Sequence, residues 1–82
     1  MQKAQVFNEI SIICKNVFND PQLKVEEKTS AKDVENWDSM SNLFLIDSLE
    51  NHFKMKFSLE DILHAQNIGD LCEIVVKKMS KG

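Results

Sequence analysis

The 82-residue sequence contains no arginine, so all ten of its cationic side chains are lysines. Surfaces that recognise phosphate or nucleic acid usually include arginine, because its planar guanidinium forms paired hydrogen bonds with phosphates and base edges. Between Asp20 and Asp61 there are ten acidic residues and five lysines, so the middle of the chain is acidic. The composition therefore argues against a nucleic-acid partner and favours protein partners with basic patches.

Cysteine is also scarce, with two residues in the whole chain. Cys14 and Cys72 form no C-x-x-C pair, and with His52 and His64 they lack the paired spacing of a zinc site. Both cysteines fall on apolar helical positions. We therefore expect no metal site and interpret them as small buried thiols.

The signature of a self-contained hydrolase is missing as well. No Gly-x-Ser-x-Gly turn is present to hold a strained serine nucleophile, and nothing completes a catalytic triad. His52 follows Ser39 by thirteen residues on one predicted helix, which is too far for it to act as a base. We expect no enzymatic activity.

Long hydrophobic runs are absent too. No stretch approaches the length of a bilayer-crossing helix, and Asn8 and Glu9 interrupt the apolar residues near the N-terminus within one turn. We therefore expect neither a membrane span nor a signal peptide, and a cytoplasmic location. With no repeat or linker in the sequence, we expect a single domain over residues 1–82 with one modest core.

Helical periodicity accounts for most of the chain. The first helix is predicted from about Lys3 to Phe18, and Asn19-Asp20-Pro21 stops it. A long connection follows. The side chains expected to hold that connection against the core are Leu23, Val25, Val34 and Trp37.

The second half of the chain predicts a short helix and a longer one. Ser58-Leu59-Glu60-Asp61 has the pattern of a capping box and opens a short helix through Leu63. Asn67 is expected to cap the last helix. The apolar stripe of that last helix is Leu71, Ile74, Val75 and Met79.

Between the first helix and the short helix, a central helix begins at Asp38-Ser39-Met40. Asp38 is a favoured N-cap residue, because its carboxylate accepts the unpaired N–H groups of the first turn. Ser39 is then the first helical residue, where a phosphate group would meet free N–H donors and the positive end of the helix dipole. The stripe expected to be buried is Leu45, Ile46, Leu49 and Phe53.

This region resembles the acyl carrier proteins, especially discrete carriers with a central Trp-Asp-Ser-Leu motif. The residues that carry the resemblance are Asp33-Val34-Glu35-Asn36-Trp37-Asp38-Ser39-Met40, then Leu45-Ile46, Leu49-Glu50 and Phe53. The likeness extends from about Val6 to Met79. It implies an all-α, acyl-carrier-like four-helix bundle, with three longer helices, one short helix and a long loop between helices 1 and 2.

The resemblance also implies a function. In the family, the motif serine receives 4′-phosphopantetheine from coenzyme A, and acyl or aminoacyl groups are carried as thioesters on its thiol. By resemblance, Ser39 is the attachment residue, and Asp38 helps to position metal and coenzyme A in the transferase. The implied partners of a monomeric carrier are a phosphopantetheinyl transferase, an acyl- or aminoacyl-loading ligase, and ketosynthase- or acyltransferase-type enzymes.

The central helix has a second apolar face. Met40, Leu43, Phe44 and Asp47 recur at helical spacing, on a face different from the buried stripe. Since the helix after the serine is the main docking surface in carriers, we expect Met40, Leu43 and Phe44 to form an apolar docking patch rimmed by Asp47 and Glu50. In the alternative, Leu43 or Phe44 folds into the core.

The cargo is less well specified. Carriers of dissociated fatty acid synthesis usually have several acidic residues on this helix and a small residue before Asp-Ser, where this chain has Trp37. These departures favour a specialised polyketide-like, fatty-acid-like or lipid-modifying pathway. An aminoacyl carrier of the D-alanyl or peptidyl type is the alternative, which Met40 favours because D-alanyl carriers also use Asp-Ser-Met. A helical adaptor without a cofactor, which would not need Ser39, is a third interpretation.

Overall fold

The computed structural model describes residues 2–80 and shows an all-α bundle, as predicted. Its elements are α1 (Lys3–Val17), a 3₁₀ turn (Ala31–Asp33), α2 (Ser39–Phe53), α3 (Leu59–His64) and α4 (Ile68–Ser80). Met1, Lys81 and Gly82 lie outside the described residues. None of the described helices is long and apolar enough to cross a membrane.

Helix α1 forms one wall of the core and packs against both α2 and α4. Its residues Val6, Ile10 and Cys14, spaced four apart, are fully buried. The helix ends one residue earlier than predicted. Phe18 is its C-cap, and Asn19 follows with φ 53°, a left-handed conformation that asparagine tolerates better than most residues.

The interior combines the apolar faces of three helices with Phe18 at the end of α1, Val34 and Trp37 from the long connection, and Phe57 from the loop before α3. From α2 the buried side chains are Leu45, Ile46, Leu49 and Phe53, and from α4 they are Ile68, Leu71, Cys72 and Val75. Cys14 and Cys72 are free and buried, as expected. Burial raises the pKa of the Cys14 thiol to about 12 and that of Cys72 to about 11, so both remain protonated and unreactive at neutral pH.

The connection between α1 and α2 is packed against the bundle. Val34 and Trp37 are buried, and Leu23 and Val25 are partly buried against the same core, which confirms the predicted contacts. The sequence did not predict the role of Thr29. Its side chain is buried, and its hydroxyl oxygen accepts a hydrogen bond from the backbone N–H of Glu26 at 2.9 Å.

The same connection also satisfies the start of α4. The N–H of Ile68 donates to the carbonyl of Thr29 at 2.9 Å, and the N–H of Gly69 donates to the carbonyl of Glu27 at 2.7 Å. These are helix N-terminal donors that would otherwise lack a partner. A Cβ at position 69 would lie 3.1 Å from the Glu27 carbonyl oxygen, so glycine permits the close approach.

Both predicted caps after α2 are confirmed. The Ser58 hydroxyl accepts from the N–H of Asp61 at 3.0 Å, and the Asp61 carboxylate accepts from the N–H of Ser58 at 2.9 Å. Asn67 accepts from the N–H of Asp70 at 2.8 Å. Asp61 also forms a 2.9 Å ion pair with Lys78. The hydrogen bond from the Ser58 N–H, helped by Lys78, lowers the pKa of Asp61 to about 2.

We predict that Asp61→Ala lowers the free energy of unfolding at pH 7 by about 1 kcal/mol, the usual value of a helix cap, because the ion pair is partly exposed and adds little. Since the native pKa of Asp61 lies below its ordinary value, this stability is complete above about pH 4 and is lost as the pH falls toward 2. Urea titrations followed by Trp37 fluorescence at pH 7 and pH 2.5 measure both effects.

Glu60→Ala is the matched control, because Glu60 is an exposed acid in the same helical turn. Equal losses for the two variants at pH 7, or a loss for Asp61→Ala that does not shrink at pH 2.5, would contradict this account.

Candidate functional site

The start of α2 is fixed by a reciprocal cap. The Asp38 carboxylate accepts from the N–H of Ser41 at 2.9 Å, and the Ser41 hydroxyl oxygen accepts from the N–H of Asp38 at 2.8 Å. Ser41 also donates to the carbonyl of Asn36 at 2.7 Å. The bond from the Ser41 N–H is the main reason that the pKa of Asp38 lies below its ordinary value. Asp38 was predicted as the cap, but Ser41 was missed because glutamate or glutamine usually fills its position.

Trp37 anchors the residues that precede this cap. Its indole is buried, its ring centroid lies 5.4 Å from that of Phe18, and its N–H donates to the side-chain oxygen of Asn42 at 2.9 Å. Asn36 donates from its side chain to the carbonyl of Phe18 at 3.0 Å. The turn is therefore joined to the end of α1 on one side and to the first turn of α2 on the other.

Ser39 directly follows this hydrogen-bonded turn, and its side chain is exposed. The hydrogen bonds of the turn are made by its neighbours, and the Ser39 hydroxyl takes no part in them. As the first residue of α2, Ser39 lies beside the N-terminal N–H groups of the helix. The geometry therefore presents a free hydroxyl to an external enzyme and leaves room for an anion next to it.

An open cleft of about 630 Å³ adjoins Ser39. Its walls come from the 3₁₀ turn, the start of α2 and the segment between α3 and α4. The lining residues are Ser30, Ala31, Lys32, Trp37, Asp38, Ser39, Asn42, Ala65 and Gln66. The volume falls within the roughly 300–1,000 Å³ typical of small-molecule sites. Across the described residues, no group of three or more histidine, cysteine or acidic side chains could hold a metal ion.

The second face of α2 is open to solvent. Met40, Leu43 and Phe44 are 68%, 64% and 60% exposed, so the alternative in which Leu43 or Phe44 folds into the core is wrong. Asp47, on the same face, is also exposed. We refer to Met40, Leu43 and Phe44 as the α2 patch.

Two residues of α2 have partners that the sequence did not reveal. Glu50 was predicted to rim the α2 patch, but its carboxylate accepts from the backbone N–H of Phe57 at 2.7 Å and holds the loop before α3. His52 was considered as a zinc ligand or as a base for Ser39, and its ring nitrogen lies 2.6 Å from the Glu9 carboxylate of α1. Both side chains therefore stabilise the bundle near the C-terminal end of α2.

Helix α3 contributes exposed apolar residues that the sequence interpretation missed. Leu59 and Leu63 are 73% and 68% exposed, while Ile62 on the other face packs against the core. The sequence did contain a signal for this exposed face, because Leu59 and Leu63 are four residues apart and lie on one side of the short helix. When one face of such a helix is buried, the opposite face remains exposed.

Comparison with known proteins identifies the family. No protein-family model matches the sequence, and no curated protein matches it. The structure is similar to the solution NMR structure of a holo acyl carrier protein from Geobacter metallireducens, with a TM-score of 0.88 and 38% sequence identity over 93% of this chain and 87% of that one. This chain belongs to the acyl carrier protein family.

Family membership agrees with the local structure of this acyl carrier protein. It confirms the all-α bundle, and it shows a carrier rather than an enzyme. Trp37, which departs from the small residue usual in fatty-acid carriers, has a structural reason in this chain, because its indole joins Phe18 to Asn42.

We predict that Ser41→Ala in this acyl carrier protein lowers the free energy of unfolding by about 1 kcal/mol, because the Asp38 N–H and the Asn36 carbonyl both lose a partner. The rate of amide hydrogen exchange in the first turn of α2 should rise about fivefold, which corresponds to the same loss of about 1 kcal/mol. Ser48→Ala, on the same helix, controls for the higher helix propensity of alanine. Equal stabilities of the two variants would show that the reciprocal cap contributes nothing.

Proposed function

We propose that this acyl carrier protein holds 4′-phosphopantetheine on the Ser39 hydroxyl and transports acyl groups between enzymes. The observation that carries the proposal is an exposed hydroxyl at the first position of α2, on a turn whose own hydrogen bonds do not engage it. The holo form of the Geobacter metallireducens carrier supports it. When bound, the arm supplies a terminal thiol that holds acyl groups as thioesters.

The residues around Ser39 suit such a modification. In the transferase, the Ser39 oxygen bonds to the phosphorus that carries the pantetheine arm of coenzyme A, and the bond from that phosphorus to the rest of coenzyme A breaks. Adenosine 3′,5′-bisphosphate leaves and the hydroxyl proton passes to the transferase. The first-turn N–H groups and the helix dipole then favour the phosphodiester charge. Asp38 maintains the turn and, we propose, is also recognised by the transferase.

We predict that incubation with coenzyme A, magnesium and a promiscuous phosphopantetheinyl transferase adds one phosphopantetheine to the wild-type protein and none to Ser39→Ala. Intact mass spectrometry measures the gain. Ser48→Ala, nine residues further along the same helix, is the matched control and should load normally. Loading of Ser39→Ala, or failure of the folded wild type to load, would contradict attachment at Ser39 and favour the cofactor-free adaptor.

We further propose that the α2 patch is the docking surface for the transferase and for later partners, with Asp47 at its rim. Its three large apolar side chains are more than half exposed and lie within the first two turns after Ser39. Clustered exposure of this kind marks contact sites, whereas isolated exposed apolar residues need no explanation. We also include Glu50 in the proposed rim, although its carboxylate accepts a hydrogen bond from the backbone N–H of Phe57.

We predict that Phe44→Ser raises the KM of transferase loading about tenfold, as for a residue near the centre of an interface. Since Phe44 is 60% exposed, the variant should keep its fold and lose less than about 0.5 kcal/mol of stability. Ile12→Ser controls for polarity, because Ile12 is 59% exposed on α1. An unfolded Phe44→Ser variant, or equal KM values for the two variants, would contradict the docking proposal.

For the cargo, we propose an acyl group of a specialised polyketide-like, fatty-acid-like or lipid-modifying pathway. The α2 patch supports this, because partners of this carrier would meet three apolar side chains and one acid, Asp47, where housekeeping fatty-acid carriers have several acids. The corresponding partners are a loading ligase and ketosynthase- or acyltransferase-type enzymes, and we propose a monomeric, cytoplasmic carrier.

An aminoacyl cargo is the second candidate, favoured by Met40 in the Asp38-Ser39-Met40 motif. Hydroxylamine releases a thioester-bound group from the carrier as a hydroxamate. The mass of that hydroxamate distinguishes a fatty or polyketide acyl group from an amino acid.

A further inference from the structure

The cleft beside Ser39 combines three kinds of chemistry. Lys32 supplies a positive charge, Asn42 and Gln66 supply side-chain amides, and Ala31 and Ala65 supply small apolar surfaces. A pantetheine arm carries the complementary groups: a phosphodiester, two amides and a geminal dimethyl group. The groups along the cleft wall are therefore of the types that the arm would contact. Ser39 is itself part of that wall.

Lys32 is the one cation among the residues that line this cleft. Lys3 and Lys78 form ion pairs with acidic side chains, whereas no ion pair within residues 2–80 engages Lys32. The carboxylates of Asp33 and Asp38 are its acidic neighbours in sequence and in the cleft wall. Each is committed to a cap, with Asp33 accepting from the N–H of Ser30 at 3.0 Å and Asp38 accepting from that of Ser41.

The amide side chains are also available. Asn42 uses its oxygen to accept from the Trp37 indole, which leaves its amide hydrogens without a partner among residues 2–80. Gln66 forms its hydrogen bond through the backbone N–H, which donates to Asp70 at 2.9 Å, and its side chain is free to contact a ligand. The cleft therefore offers donors on two of its walls.

We propose that the arm on Ser39 folds back into this cleft when no partner enzyme is bound. Lys32 faces the phosphodiester, Asn42 and Gln66 face the amides of the arm, and Ala31 and Ala65 contact its dimethyl group. The inference depends on the proposed attachment at Ser39. It implies that a partner docked on the α2 patch draws the arm out of a defined resting site.

The test compares the unloaded and loaded protein by nuclear magnetic resonance, after intact mass has verified loading. With ¹³C- and ¹⁵N-labelled protein and an unlabelled arm, we expect isotope-filtered Overhauser effects from the arm methyl groups to the methyl groups of Ala31 and Ala65. Backbone shifts should change at Lys32 and Gln66 as well as next to Ser39. Shift changes confined to the immediate neighbours of Ser39, without those Overhauser effects, would overturn the resting site.

Lys32→Gln tests the charge, and Lys24→Gln is the matched control, because Lys24 is an exposed lysine of the same connection that does not line the cleft. We expect Lys32→Gln to weaken the Overhauser effects about threefold, in line with the loss of one partly exposed ion pair. Equal intensities in the two variants would overturn the role of Lys32. No mass gain in the wild type would refute attachment itself, whereas a loaded protein without these contacts would refute the resting site alone.

Discussion

Trp37 packs its indole against Phe18 and donates its N–H to Asn42, so a single side chain joins the end of α1 to the first turn of α2. Burial of a large apolar side chain contributes about 1.5–3 kcal/mol, which is more than the roughly 1 kcal/mol of a typical helix cap. The Asp38–Ser41 cap forms on this support. Ser39 is thereby positioned through its backbone while its hydroxyl stays free, as the proposed modification by a separate enzyme requires.

The features that the sequence predicted correctly are those decided within one or two helical turns. The apolar stripes of α2 and α4 depend only on helical spacing. The caps at Asp38, Ser58 and Asn67 depend on a side chain reaching an N–H three residues away. Local rules of this kind were enough for the four helices and for the position of Ser39 at the start of α2.

The features that were missed depend on how separate segments meet. His52 and Glu9 are 43 residues apart, and the carbonyls of Glu27 and Thr29 meet the start of α4 from the other half of the chain. Such contacts require side chains and carbonyls to be placed within a fraction of an ångström, which a single sequence does not specify. The cleft beside Ser39 is of the same kind, since its walls come from three segments that become neighbours only in the folded chain.

Helix α2 is apolar on two faces, and its spacing alone left open whether Leu43 or Phe44 on the second face would also enter the core. The bundle buries Leu49 and its stripe, and leaves Phe44 and the rest of the α2 patch exposed. The side chains of the α2 patch are more than half exposed, so each forgoes a large part of the roughly 1.5–3 kcal/mol that full burial contributes and adds a tendency to aggregate. Three of them together favour a surface that another protein covers. Because Met40 directly follows Ser39, a protein that covers this patch also reaches the arm proposed on Ser39. Docking and access to the cargo would then be one event, with the cleft on the neighbouring surface holding the arm until a partner arrives.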